Sequence, residues 1–309
     1  MAKSHSTIST YQLLELIPDE ATARAYIESR RWPNGPHCPS CGFGDRITTR
    51  KRAGYYRCNA CRDDFTIRTG TIFERSHVPL RKWLMAMYLL LTARKGISSL
   101  QLSKQIAVTQ KTAWFMLHRL REACGSDIDK LRGTIEIDET YIGGRERAKH
   151  DSKKLRAGRG AVGKTAVLGM RERRGRTYAT PVERVDTGTV LDQVHRRAEV
   201  GSSIHTDEAA VYDGIDGLFF RREAINHSAG EYARGDVTTN SVESVFALLK
   251  RGLHGVYHHA SRKHLARYVN EFTFRLNEGS VAHHTLERLD SLLRATVNRR
   301  LTYAALTGK

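Results

Sequence analysis

The sequence predicts an α/β protein, a mixed sheet flanked by helices, preceded by a small metal-held module and a helical segment. Three observations carry this. Strand-like and helix-like stretches alternate across 130–285, four cysteines recur as two close pairs before residue 62, and the stretch at 76–127 is rich in helix formers with few breakers. The expected organisation is therefore an N-terminal helix and cysteine module (1–75), a helical domain (76–127), an alternating domain (130–285) and a helical tail (286–309).

With 309 residues the chain can build two or three separate cores. A 40% hydrophobic and 27% charged composition excludes wholesale disorder. The 51 Lys+Arg against 33 Asp+Glu leave a net charge of +18. Such an excess predicts a polyanionic partner, because a basic surface gains affinity by displacing counterions from phosphates. The N-terminus, "MAKSHSTISTYQLLELIPDE", lacks the apolar core of a signal peptide, and "LMAMYLLL" (84–91) is too short to span a bilayer. A soluble, cytoplasmic, nucleoid-associated protein with no membrane partner is expected.

Taken in order, "DEATARAYIESRRW" (19–32) reads as a helix ended by Pro33, Gly35 and Pro36. Cys38, Cys41, Cys58 and Cys61 then form C-x2-C-x16-C-x2-C. Each pair offers two thiolates from one tight turn, and two such turns complete a tetrahedral Zn2+ site. Pro39 and Gly42 shape the first, and "YYRC" (55–58) reads as a strand leading into the second. Four sulfur ligands close the site, so the ion is structural and stands in for the core so small a module lacks. Cys124, alone in a helical stretch, reads as a small buried apolar residue.

"SSLQLSKQIAVTQKTAWFMLHRLREAC" (98–124) shows two helical patterns separated by a brief break. Leu100, Leu102 and Ile106 are expected to face inward from the first. Thr109 would cap the second, whose Ala113, Phe115, Met116 and Leu120 supply an apolar stripe. Lys111, His118, Arg119 and Arg121 would then form a basic outer face, as in a helix-turn-helix whose second helix enters a major groove. Lys111 and Arg119 are the candidate DNA contacts there.

"GRGAVGKT" (158–165) satisfies the G-x-x-x-x-G-K-[ST] phosphate-loop pattern, but that motif works only between a strand and a helix. Here a polar basic run precedes it, and a strand, a turn at Gly175 and a second strand follow. The match is a coincidence, and an ATPase is not the expectation. Residues 145–176 carry twelve Lys/Arg against Glu146, Asp151 and Glu172. A basic loop entering a hairpin, with Arg159 and Lys164 available to a phosphate backbone, is the expectation.

In "TIEID" (134–138), Ile135 and Ile137 share one face, and Glu136 and Asp138 the other. A second apolar strand, "GSSIHTDEAAVY" (201–212), carries Asp207, and a helix-like "TGTVLDQVHRRAEV" (187–200) precedes it. "TTNSVESVFALLKRG" (238–252) opens with polar capping residues and continues as an amphipathic helix. On it Asn240 and Glu243 are three apart and share a face, with Lys250 on the same side. Each acid alone is an ordinary turn or cap residue, and Glu139 reads as such a surface group. Brought together, the acids would repel unless cations sat between them, and two Mg2+ ions about 4 Å apart would serve in-line phosphoryl transfer.

The stretches "RWPNGPHCPSCG", "YRCNACRDDFTIRTGTIFE", "IEIDETYIGG", "GRGAVGKTAVLGM", "HTDEAAVY" and "TTNSVESVFALLKRGLHGVYHHASRKHLARYVNEFTFRLN" resemble bacterial insertion-sequence transposases of the IS1595 type, the ISXO2-like group, over essentially the whole chain. The resemblance implies an RNase H-like catalytic domain of the DD(E/N) kind behind a zinc ribbon. It implies Mg2+- or Mn2+-dependent cleavage at the element's own inverted-repeat ends, then transfer of the freed 3′-hydroxyl to target DNA. By position, the first two catalytic acids are Asp138 and Asp207. The third is Glu243 or Asn240. Glu243 is favoured because a carboxylate is the better magnesium ligand, with Asn240 as a second ligand or an orienting donor. The Glu243-to-Lys250 spacing resembles the E-x6-K signature of related transposases, in which the Lys contacts phosphate near the cut; Arg251 follows it. Double-stranded DNA is the expected partner, bound by a homodimer or larger assembly. The rival expectations are a structure-selective nuclease of the same fold and a domesticated zinc-ribbon regulator that only binds.

Overall fold

Residues 7–125, 129–144, 150–155, 161–217, 220–226, 230–231 and 233–308 are described by the structure, a computed structural model. The basic-loop candidate Arg159 lies outside them, as do several other cations of the 145–176 run. Contacts divide the chain into two units: Asp127–Asn277, and Met1–Ser126 together with Glu278–Lys309.

In the first of these, the apolar stretches become strands β4 (Thr134–Ile142), β5 (Thr165–Glu172), β6 (Thr177–Val182), β7 (Ser203–Asp207) and β8 (Arg221–Ile225). Their spatial order is β6-β5-β4-β7-β8. The β4–β5 and β5–β6 pairs are antiparallel, and β4–β7 and β7–β8 are parallel. A parallel pair needs a crossover, and between β6 and β7 that is α6 (Thr187–Arg197), capped by Asp186. Period-two alternation splits the side chains between two cores. Ile135, Ile137, Leu168, Met170 and Ile204 pack with Val190 and Val194 of α6 and with Tyr212. Val167 and Ala179 pack on the opposite face with Val242, Phe246 and Leu249 of α7 (Asn240–Gly252) and Leu265, Val269 and Phe272 of α8 (Leu265–Leu276). This mixed sheet between helical layers, with three antiparallel strands followed by two parallel ones, is the RNase H-like arrangement. The strand β8 has no apolar alternation in "RREAI" to announce it.

In the other unit, α1 (Thr10–Leu16) and α2 (Glu20–Arg31) precede a three-stranded antiparallel sheet of β1 (Ile47–Thr49), β2 (Tyr55–Cys58) and β3 (Asp64–Thr66). Then come α3 (Leu80–Thr92), α4 (Ser99–Ile106) and α5 (Gln110–Cys124). The tail forms α9 (Thr285–Arg294), which packs on α2 and α3, and a short α10 (Tyr303–Thr307). The fully buried Arg288 fixes α9 by donating to the Leu91 carbonyl of α3. Among the described residues no helix is long and apolar enough to cross a membrane.

The pair α4–α5 has a helix-turn-helix outline, with a left-handed turn at Ala107 and a Thr109 cap that accepts the Thr112 N–H at 3.2 Å. Two expectations about its faces are corrected. Leu100 is exposed, at 56%, while Leu102 and Ile106 are buried. The basic outer face is reduced to Lys111, because His118, Arg119 and Arg121 are all buried. Arg119 donates to three backbone carbonyls, those of Leu301, Ile72 and Glu74, at 3.1, 2.7 and 3.0 Å. A guanidinium offers donors in a rigid fork, and here the fork is spent on chain segments that form no ladder of their own. Arg119 is a structural clamp and not a DNA contact. Cys124 is buried, as its helical surroundings predict.

Candidate active site

The two cysteine pairs sit at the ends of β2 and the loops facing it. Sγ of Cys38 lies 3.5 Å from that of Cys61, and Cys41 lies 3.6 Å from Cys58. All four sulfurs fall within 4.8 Å of one another. A tetrahedron with Zn–S bonds near 2.3 Å has edges of about 3.8 Å, so the quartet fits a zinc ion with no further ligand. Backbone N–H groups of Phe43, of Cys61 and of Asp63 are directed at Cys41, Cys58 and Cys61, as suits thiolate charge. Trp32 meets Tyr56 and Phe65 edge-on at 5.4 and 5.8 Å and supplies the small core beside the ribbon.

The acids come together through strand register. β4 and β7 pair as Thr134 with Ser203, Ile135 with Ile204, and Glu136 with His205. The paired register ends there, two residues before each acid, and beyond it Asp138 and Asp207 continue their adjacent strands close enough for the Asp207 charge to act on Asp138. Neighbouring strands lie about 4.8 Å apart, and both residues share the face that Glu136 presents to α7. On the other flank Asp138 pairs with Gly169 of β5. A Cβ at Gly169 would stand 2.6 Å from Phe246 Cζ and 3.1 Å from Val242 Cγ2. The missing side chain lets α7 approach the sheet beside Asp138.

That approach sets the electrostatics. The Asp138 carboxyl is pushed up to about 7. Burial is the main cause; the Glu139 N–H, 2.8 Å from Oδ1, opposes it, and the charges of Glu139, Asp207 and Glu243 raise it further. Asp207 accepts the Ala209 N–H at 3.0 Å, and Arg222 donates to both the Thr206 hydroxyl and the Asp207 carbonyl, fixing the strand end. Glu243, in the first turn of α7 and exposed, accepts from the Thr239 hydroxyl at 3.0 Å. Asn240 begins the same helix on the same face, and Lys250 and Arg251 lie exposed in its last turn. Lys164 lies half-buried just before β5.

An anionic cluster of hard oxygen donors with a carboxyl of raised pKa is suited to Mg2+. Among the described residues the four cysteines form the one group of three or more metal-ligating side chains, and Asp138, Asp207 and Glu243 do not form a second. Two divalent ions shared among Asp138, Asp207 and Glu243 would offset the repulsion of the acids without all three carboxylates meeting on one ion.

Three residues escaped the sequence reading. Glu139 is half-buried and accepts a hydrogen bond from the buried Tyr212 hydroxyl, so it is no surface turn residue. Gly169 had no local signal. Glu136, placed by alternation on the Asp138 face, is only 1% exposed and accepts from the first turn of α7.

Comparison with known proteins agrees with this anatomy. The ISXO2-like transposase domain model matches residues 130–277, and the transposase zinc-ribbon domain model matches 18–64. An uncharacterised protein of the transposable element ISH50 of Halobacterium salinarum is 32% identical over 272 residues, covering 83% of this chain and 90% of that protein. Among solved structures, similarity extends to a simian T-cell lymphotropic virus intasome in complex with PP2A regulatory subunit B56 gamma. There the identity is 13%, over 62% of this chain and 65% of that one, with a TM-score of 0.29. The Mos1 strand transfer complex follows at 14% identity, over 64% and 77%, with a TM-score of 0.24. At these scores the strand order, and not the superposition, carries the fold. The ribbon, the RNase H-like sheet and a relative matched over nine-tenths of its length converge, and the chain belongs to the ISXO2-like family of insertion-sequence transposases.

Proposed function

We propose that the protein cleaves DNA at the ends of its own element and joins the freed 3′-hydroxyl to a target, using Asp138, Asp207 and Glu243 as the metal-holding acids. The observation that carries this is that Asp138 and Asp207 lie on adjacent parallel strands, two residues past their last paired positions, and that the charges of both Asp207 and Glu243 are felt at Asp138. Asp138 would serve both of two Mg2+ or Mn2+ ions, and Asp207 and Glu243 one each. When bound, such a pair supplies an activated water and stabilises the leaving 3′ oxygen. The protein's own part is to hold the carboxylates rigidly. Asp207 is held through its backbone by Arg222, and Glu243 through the Thr239 hydroxyl. Asn240, one turn before Glu243, would orient a phosphate or a ligand water. Lys250 and Arg251 would grip the phosphate backbone along the exposed side of α7, and Lys164 would do so at the β5 entry. Lys111 would do the same at the start of α5. Pairing two ends for joining calls for at least two copies of the chain on DNA.

The test is incubation of purified protein with Mg2+ and a duplex bearing the element end. Wild type should cut and then yield strand-transfer products, and Asp138→Ala should do neither. Full cleavage by the Ala variant would defeat the assignment. Cutting without joining would identify a nuclease, and binding without cutting a regulator.

A further inference from the structure

A helix N-terminus leaves its first backbone N–H groups without intrahelical partners, and the usual remedy is the side chain of the N-cap residue itself. In α7 the N-cap is Thr239, a residue well suited to that task. Its side chain makes no cap hydrogen bond, and its hydroxyl donates instead to the Glu243 carboxylate at 3.0 Å. The Thr238 hydroxyl accepts the Asn240 N–H at 3.1 Å, and the next two donors are met from β4, about a hundred residues earlier. Oε2 of Glu136 accepts the Ser241 N–H at 2.8 Å, the Ser241 hydroxyl at 2.6 Å and the Val242 N–H at 3.2 Å. Its other oxygen faces Arg173 at 3.5 Å, and the same Arg173 nitrogen reaches the Asp236 carbonyl in the segment before α7. A buried carboxylate is tolerated only when paired and hydrogen-bonded, and here helix dipole, hydroxyl and guanidinium meet that requirement together.

We infer that Glu136 is a positioning residue for the metal site: it locks the first turn of α7 to the strand that carries Asp138, so that the Thr239 hydroxyl orients Glu243 instead of capping the helix. Glu136 and Asp138 are two apart on β4, and Ser241 and Glu243 two apart on α7, so this contact, with the packing of Val242 and Phe246 over Gly169, sets the separation of the two acids. Without it, Thr239 would turn to cap its own helix and release Glu243. The inference rests on Glu243 being a metal ligand, as proposed above.

The test uses Mn2+ binding to the full-length protein, read by calorimetry, beside thermal melting. Glu136→Gln keeps the shape and one acceptor oxygen but loses the charge. It should fold and weaken Mn2+ binding about tenfold, within the range of outer-shell substitutions. Thr239→Val should weaken it in the same way with α7 still capped. Should Glu136→Gln fail to fold, Ser241→Ala removes one of the three contacts and should give a smaller loss in the same direction. Combining Glu136→Gln with Glu243→Gln should bind Mn2+ no more weakly than Glu243→Gln alone. Wild-type Mn2+ affinity in Glu136→Gln with a lowered melting temperature would overturn the inference, as would full additivity with Glu243→Gln. Unchanged binding in Glu243→Gln would remove Glu243 from the metal site, overturning the underlying reading as well.

Discussion

Arginines at helical spacing are read as surface groups, yet Arg119 and Lys111, two turns apart on α5, have opposite fates. Lys111 is exposed and lies 5.0 Å from the ring centre of Tyr303. Arg119 is 6% exposed and spans three carbonyls. Arg119→Ala leaves those acceptors unpaired and should cost on the order of 2–3 kcal/mol of stability, seen as a lower melting temperature. Lys111→Ala should leave melting unchanged and reduce the salt slope of DNA binding by about 1. A reversed pattern in the two assays would refute the assignment. Asp138 gives a pH signature. Its carboxyl goes from an ordinary 3.8 in the unfolded chain to about 7 when folded. Between those values the folded state keeps a proton that the unfolded state has lost. Stability without added Mg2+ therefore falls as pH rises through that window and levels off above about 7. Mg2+ needs the ionised form, so the stabilisation it gives should grow towards pH 7 and above. Melting curves with and without Mg2+ at several pH values check both trends, and Asp138→Asn should flatten them.

Helix α7 shows how an element is placed. Its amphipathic face was readable from spacing, because Val242, Val245, Phe246 and Leu249 recur at helical intervals and are all buried. How closely it approaches the sheet was not readable, because that depends on Gly169, a residue of a different strand with no side chain to signal its importance. Gly169→Ala places a Cβ 2.6–3.1 Å from Phe246 and Val242 and forces them away. Overpacking of this kind costs about 1–3 kcal/mol. The larger consequence should be functional: α7 carries Glu243, so Mg2+-dependent cleavage should fall by more than the modest loss of melting temperature implies. Retained cleavage at wild-type Mg2+ would show that α7 has freedom to move without disturbing the acids. The hairpin β5–β6 teaches the converse. The phosphate-loop pattern at 158–165 fails because the residues after it form strands, as β-branched and alternating residues around Gly175 predict.

At the scale of the whole molecule, the net charge of +18 should make binding to the proposed DNA partner steeply salt-dependent. With six or more phosphate contacts, binding should weaken by roughly a thousandfold between 50 and 200 mM salt. The zinc quartet stabilises a ribbon whose strands are only three or four residues long. Removing the ion with a chelator should expose 33–70 to limited proteolysis while the sheet unit of 134–277 stays protected; equal digestion of both would mean the ribbon stands without metal. The sequence by itself determined the four thiolate ligands, the order of the acids and the apolar face of α7, because each is written in local spacing and in the chemistry of single residue types. Only the tertiary structure decided that Arg119 points inward, that the tail helix α9 packs on α2 and α3, and that Glu136 caps a helix a hundred residues away. Those outcomes depend on strand register and on which distant backbone groups are left without partners, quantities that exist only once the chain has closed on itself.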